Sequence, residues 1–172
     1  MYNNMKRIVF FIAIAVGVMM ASCSLDQQSQ YTPQLKCYNL ICHHADSLYI
    51  DTLKIDKMDD NGVYKMKAIH KGDTVRAVII LNAVTNTLTG FSIAYDSTEL
   101  VAQVDSVSLI QSALLDTSDP EHGKLYFKPA YNYAAFPIHY IPLKTGALDL
   151  KLTVESDSKY SPSTLSMTQP VE

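Results

Sequence analysis

From residue 35 onward apolar and polar residues alternate, and that period of two marks strands with one dry face. Leu148, Leu150, Leu152 and Val154 alternate with Asp149, Lys151, Thr153 and Glu155. Phe91, Ile93 and Tyr95 alternate with Gly90, Ser92 and Ala94, and Phe136, Ile138 and Tyr140 repeat the pattern with His139 on the other side. Val78-Ile79-Ile80-Leu81 is apolar on both faces, as a strand in the middle of a sheet requires. Val101, Val104, Val107, Ile110 and Leu114 break the rule, recurring at helical spacing between Glu99 and Asp116. The same stretch is rich in β-branched residues, which favour strands, so strand is the expectation there.

Turn signals separate these runs. Asp59-Asp60-Asn61-Gly62 lies between Leu53–Met58 and Val63–Ile69, and Asn-Gly supplies the positive φ angles of a tight hairpin. Lys71-Gly72-Asp73 precedes the Val75–Leu81 strand, Asp119-Pro120-Glu121-His122-Gly123 forms a loop, and Lys144-Thr145-Gly146 is expected to close another hairpin. Short strands at this spacing predict a sandwich or barrel.

The N-terminus differs from the rest. Lys6 and Arg7 precede an apolar run from Ile8 to Met20. That run is shorter than the roughly 20 residues a lone spanning helix needs, and a basic start followed by small residues predicts a secretory signal. Met20-Ala21-Ser22-Cys23 resembles the lipobox of bacterial lipoproteins, with Met20 where Leu is commoner. The resemblance implies cleavage after residue 22 and a diacylglycerol on the Cys23 thiol, a stable anchor because each buried CH₂ contributes about 0.8 kcal/mol. Residues 23–33, with Gln27, Gln28, Ser29 and Gln30, are too polar to build a core and are expected to form a tether. Lipoproteins of the Bacteroidetes that reach the cell surface carry an acidic cluster after the cysteine. Only Asp26 stands there, which leaves both faces of the outer membrane open.

Loss of residues 1–22 removes Lys6 and Arg7 and no acidic residue, leaving the chain acidic, with 17 Asp+Glu. No basic stripe remains, and nucleic acid is excluded as an expected partner. Cys37 and Cys42 would meet an oxidising compartment, which favours pairing. A straight strand, however, holds residues five apart at roughly 16 Å, against about 7 Å for bridged Cα atoms. Two separate thiols are expected, unless a bulge bends the segment.

Two stretches carry a family likeness. Gly72-Asp73-Thr74-Val75 with its apolar run, then Leu88-Thr89-Gly90-Phe91-Ser92-Ile93-Ala94-Tyr95-Asp96, resembles the early strands of cohesin-like bacterial sandwich domains. Ile141-Pro142-Leu143-Lys144-Thr145-Gly146-Ala147-Leu148 is similar to the late hairpin of bacterial immunoglobulin-like domains. The resemblance implies that residues 34–172 form one all-β, immunoglobulin-like β-sandwich of about seven to nine antiparallel strands. The whole resembles Bacteroidetes envelope lipoproteins built as a tether plus one such domain, which implies a fold and an address but no reaction.

Candidate chemistry is sparse. Gly90-Phe91-Ser92-Ile93-Ala94 is similar to a hydrolase nucleophile elbow, yet an elbow must turn sharply from strand into helix, and here the strand period runs straight through Ser92. His43 and His44 are adjacent, so on a strand they face opposite ways; His70, His122 and His139 are scattered. None has zinc-site spacing, so no metal ligand and no cofactor is expected, and a metal site would have to be assembled from distant strands. Asp56, Asp59, Asp60 and Asn61 suit calcium by type, but Met58 occupies a ligand place and a hairpin turn explains them. In the aromatic stretch from Tyr126 to Tyr140, Tyr131 and Tyr133 flank Asn132 and are the candidate binding residues, exposed for stacking on a sugar or centring a protein contact. The expected function is a non-catalytic binding or accessory module, held to the membrane by its lipid, with an envelope protein or glycan as partner. A structural subunit of an assembly such as a fimbria, and a hydrolase with a site built from scattered strand residues, are the alternatives.

Overall fold

The computed structural model describes residues 31–105 and 110–172. The signal segment, Cys23 and most of the tether lie outside the described residues. Eleven strands occur among the described residues: β1 Gln34–His43, β2 Ile50–Thr52, β3 Ile55–Met58, β4 Tyr64–Met66, β5 Thr74–Asn82, β6 Leu88–Ala94, β7 Leu100–Val104, β8 Lys124–Tyr126, β9 Tyr133–Pro142, β10 Gly146–Ser156 and β11 Ser163–Val171. They form two sheets, in the orders β2-β1-β5-β9-β7 and β3-β4-β11-β10-β6-β8. The fold is therefore the all-β sandwich that the alternation predicts. The strands outnumber the seven to nine expected because β2, β3, β4 and β8 are short pieces of three or four residues, β2, β3 and β8 at sheet edges and β4 next to one. The pairing is antiparallel except where β11 meets β4.

Strand periodicity becomes packing directly. Val75, Ala77, Ile79 and Leu81 of β5 and Phe136, Ile138 and Tyr140 of β9 face inward from one sheet. Leu148, Leu150, Leu152 and Val154 of β10 meet them from the other, together with Phe91 and Ile93 of β6. Val78 and Ile80 are half-buried on the outer face of β5, the central strand of its sheet. The Phe91 and Phe136 rings meet edge to face across the gap, 5.1 Å between centroids. One polar bridge also crosses it: the Tyr140 hydroxyl donates to Gln169 Oε1 at 2.9 Å, and Gln169 Nε2 donates to the Lys67 carbonyl at 2.7 Å. Buried polar groups persist only when bonded, and this pair is.

Two turns behave as their residues demand. Asp59 Oδ1 accepts from the N–H groups of Asn61 and Val63, both at 2.9 Å, and Gly62 takes φ 77°, closing the β3–β4 hairpin. Asp59, Asp60 and Asn61 lie in this turn, and Asp56 lies on β3. At Lys144-Thr145-Gly146 the structure departs from expectation. β9 and β10 lie in different sheets, so the segment is an arch between layers and not a hairpin. Both strands bury alternate residues, and alternation alone does not say which sheet a strand joins. The 99–116 segment is strand over β7; residues 106–109 lie outside the described residues, and Gln111–Ala113 form one 3₁₀ turn.

β1 carries the irregularity that matters most. Its register with β5 slips between Tyr38 and Ile41, where Asn39 adopts φ 52°. The extra residue turns Cys37, opposite Ile79, and Cys42, opposite Val75, toward the same inner face despite their odd spacing. Both thiols are free.

Gly123 is required by its surroundings. Its φ is 65°, and a Cβ placed there would sit 2.9 Å from Ile93 Cβ. Gly123→Ala is expected to destabilise the fold by about 2 kcal/mol, read as a lower urea midpoint with an unchanged m-value.

Candidate functional site

Two clusters of titratable side chains and one apolar groove stand out. The first cluster grows from the β1–β5 register. Cys42 pairs with Val75 and His43 with Thr74, so the next step of the ladder sets His44 opposite Asp73. Cys42 and His44 are two residues apart and point the same way. Asp73 ends a turn in which its N–H donates to the His70 carbonyl at 3.1 Å while Gly72 takes φ 88°. A positive φ at the third position is what a type II turn needs, and glycine supplies it without strain.

The Asp73 carboxylate is 1% exposed and is the hub of the cluster. Its Oδ1 accepts from the Ala45 N–H at 2.9 Å. Its Oδ2 accepts from the His70 N–H at 2.9 Å, lies 3.1 Å from His44 Nδ1, and receives the Cys42 thiol at 3.6 Å. His70 Nδ1 is 3.8 Å from the same oxygen. Burial pushes the Asp73 pKa up, but the His70 and Ala45 N–H groups and the His44 ring outweigh it and hold the carboxyl below its usual range. Burial, then the Asp73 charge and hydrogen bond, then Asp51 push the Cys42 thiol up to about 12. Burial alone takes Cys37 to about 11. Neither thiol is a ready nucleophile at neutral pH, because the thiolate is the reactive form. The Tyr49 ring stacks on His44, 5.7 Å between centroids.

The second cluster lies on the other face of the same sheet. Arg76, His139 and Gln103 are register partners across β5, β9 and β7. His139 Nδ1 is hydrogen-bonded to Asp105 Oδ1, and Arg76 Nε lies 3.8 Å from Asp105 Oδ2. Among the described residues no hydroxyl or thiol is hydrogen-bonded to His139. Ser92 pairs with Thr153 on one side and Lys124 on the other, inside a continuous β6, so the elbow geometry is absent at that serine.

The groove opens where the two sheets part along β1. Leu35, Cys37 and Leu40 of β1 form one wall; Tyr64 and Met66 of β4 and Leu165 of β11 form the other, around about 270 Å³. Ile55 of β3 also lines it and is 50% exposed, and Met58 on the same strand is 60% exposed. Leu48, Tyr49 and Ile50, at and before β2, are exposed as well. β2 covers only Ile41–His43 of β1, so among the described residues Gln34–Tyr38 has a strand partner on the β5 side alone.

Tyr131 and Tyr133 are exposed, as their positions suggest. Tyr133 shares a shallow surface depression with Gln34, Tyr38 and Asn82, whereas the Tyr131 hydroxyl turns to the Ser112 carbonyl at 3.4 Å. They are not brought together with either histidine cluster. Sequence reading missed Asp73 as a site residue, and with it the joining of Cys42, His44 and His70. The available signals were the i, i+2 pair Cys42/His44 and the His70-Lys71-Gly72-Asp73 turn, with Asp73 lying 29 residues beyond His44 in the chain.

The architecture is that of a two-sheet β-sandwich domain. No family profile and no curated protein matches the chain. Solved structures similar in fold include a chain of the CaDoc0917–CaCohA2 complex, with TM-score 0.36, 16% identity, and coverage of 61% of this chain and 94% of that one. Domains 4 and 5 of the S-layer protein SbsC match with TM-score 0.35 and 11% identity over 70% of this chain and 51% of that one. A family 123 glycoside hydrolase from Clostridium perfringens matches with TM-score 0.42 and 13% identity over 82% of this chain. This chain covers 27% of that enzyme and 51% of the S-layer chain.

Proposed function

We propose that the chain is a lipid-anchored envelope protein whose sandwich is a non-catalytic module that binds a protein partner along the open β1–β3 side. The observation that carries this reading is the groove beside the half of β1 that, among the described residues, pairs with β5 alone, with Ile55 and Met58 exposed next to it. Exposed contiguous apolar surface marks an interaction site, and a strand edge above an apolar groove suits an extended peptide segment. An apolar groove favours protein over glycan, and the chain has no tryptophan to stack on sugar.

The address rests on Cys23 and the function on the groove, so each has its own test. Cys23→Ala is expected to move the full-length chain from the membrane fraction to the soluble fraction; retention in the membrane would remove the lipid anchor from the account. An Ile55→Asp, Met58→Asp double variant is expected to weaken capture of the partner recovered with the wild-type chain by tenfold or more. An Asp149→Ala variant on the solvent side of β10 should leave it unchanged. Equal recovery by all three proteins would refute the groove as the binding surface.

The same edge supports a second reading, a subunit that accepts a strand donated by a neighbouring copy. Concentration-dependent assembly of the full chain, abolished by the double variant, would distinguish it.

A further inference from the structure

The Asp73 hub does more than cap a turn. Four atoms of metal-binding type meet there from two separate segments: Cys42 Sγ and His44 Nδ1 from the end of β1, His70 Nδ1 and Asp73 Oδ2 from the turn before β5. Those of Cys42, His44 and Asp73 all lie within 4.8 Å of one another. From Asp73 Oδ2 the distances are 3.1 Å to His44 Nδ1, 3.6 Å to Cys42 Sγ and 3.8 Å to His70 Nδ1. Ligands placed tetrahedrally around zinc, with Zn–N and Zn–O near 2.0 Å and Zn–S near 2.3 Å, stand about 3.3 to 3.6 Å apart. The edges measured from Asp73 bracket that range. The ligand types agree as well, since a thiolate, imidazoles and one carboxylate are a zinc set and not a calcium or magnesium set.

We infer that Cys42, His44, Asp73 and His70 form a zinc site at the end of the β1–β5 ladder. Cys42 is the inner ligand, 1% exposed, and the His70 side chain is the outer one, 69% exposed. The backbone N–H groups of Ala45 and His70 hold the Asp73 carboxylate in place, the supporting shell that orients metal ligands. Binding replaces the Cys42 S–H bond by a Zn–S bond, and the thiol proton passes to solvent; the carboxylate and the neutral imidazoles give up none. One thiolate and one carboxylate then balance the ion's two positive charges. The site ties the loop after β1 to the turn before β5, which makes the ion a structural clamp beside the groove.

The test is titration of the purified, reduced full-length chain with Zn²⁺ alone, and separately with Co²⁺ as a spectroscopic stand-in. The expected result is one equivalent of Zn²⁺ bound in competition with a chromophoric chelator. With Co²⁺, intense visible bands of tetrahedral geometry and a near-ultraviolet thiolate-to-cobalt band are expected. Cys42→Ser should abolish the thiolate band, Cys37→Ser should leave it intact, and His70→Gln should weaken binding by tenfold or more while keeping the band. These variants leave the hydrogen bonds of the Asp73 backbone turn in place, so loss of metal is separable from loss of fold, which circular dichroism follows in parallel. Absence of a thiolate band in the folded wild-type chain, or its persistence in Cys42→Ser, would overturn the site.

Discussion

Phe136→Ala is expected to cost about 4 kcal/mol of unfolding free energy, the largest effect of any single truncation in this core. The ring is 1% exposed on β9, between β5 and β7 in its own sheet, and reaches across to Phe91 of β6 in the other. Its removal therefore leaves a void at the contact that joins the layers, and removes an edge-to-face pair worth about 1 kcal/mol beyond its area. Against a total stability of about 5–15 kcal/mol, that loss should lower Tm by roughly 10 °C. Phe136→Leu, which keeps most of the volume, should cost much less. An alanine variant that melts within a degree or two of wild type would show that the sheets do not pack through this residue.

Asp73→Ala, measured with chelator present, is expected to cost about 3 kcal/mol, because the N–H groups of Ala45 and His70 and the His44 ring lose a charged, buried acceptor. The effect has a pH signature. The folded Asp73 carboxyl titrates below its ordinary range, so the native state binds fewer protons than the unfolded chain over that interval. Its contribution is fully present above the unfolded value of about 3.9. It disappears as pH falls through the lower folded value. Urea unfolding of both proteins should show a wide stability gap near neutrality that closes on acidification. A gap independent of pH would mean that Asp73 acts by shape alone.

The fold was legible because burial follows the period of two. Leu148 to Val154 face inward on alternate residues as the pattern requires, and Val78 to Leu81 sit in a central strand. What alternation does not carry is partnership. The Lys144–Gly146 segment has the residues of a hairpin turn yet joins different sheets, because that choice depends on which neighbour completes the core. The Asn39 bulge hid the candidate site in the same way. One inserted residue brings Cys37 and Cys42 to one face, and the ladder beyond it aligns His44 with Asp73. Local spacing of histidines could not show this, since the ligand-bearing atoms come together through sheet register. Tyr131 and Tyr133 were readable as exposed, but exposure on a rim says little about binding, and the apolar groove lies along a different set of strands.

The most direct measurement of the central claim is site-specific photo-crosslinking in the cells that make the chain. A photoreactive side chain would be placed in turn at Ile55, beside the groove, and at Val101, an exposed apolar residue on the opposite edge strand of the β1 sheet. A discrete protein adduct from position 55 and none from position 101 is the predicted result. Equal labelling from both positions, or no adduct from position 55, would contradict it.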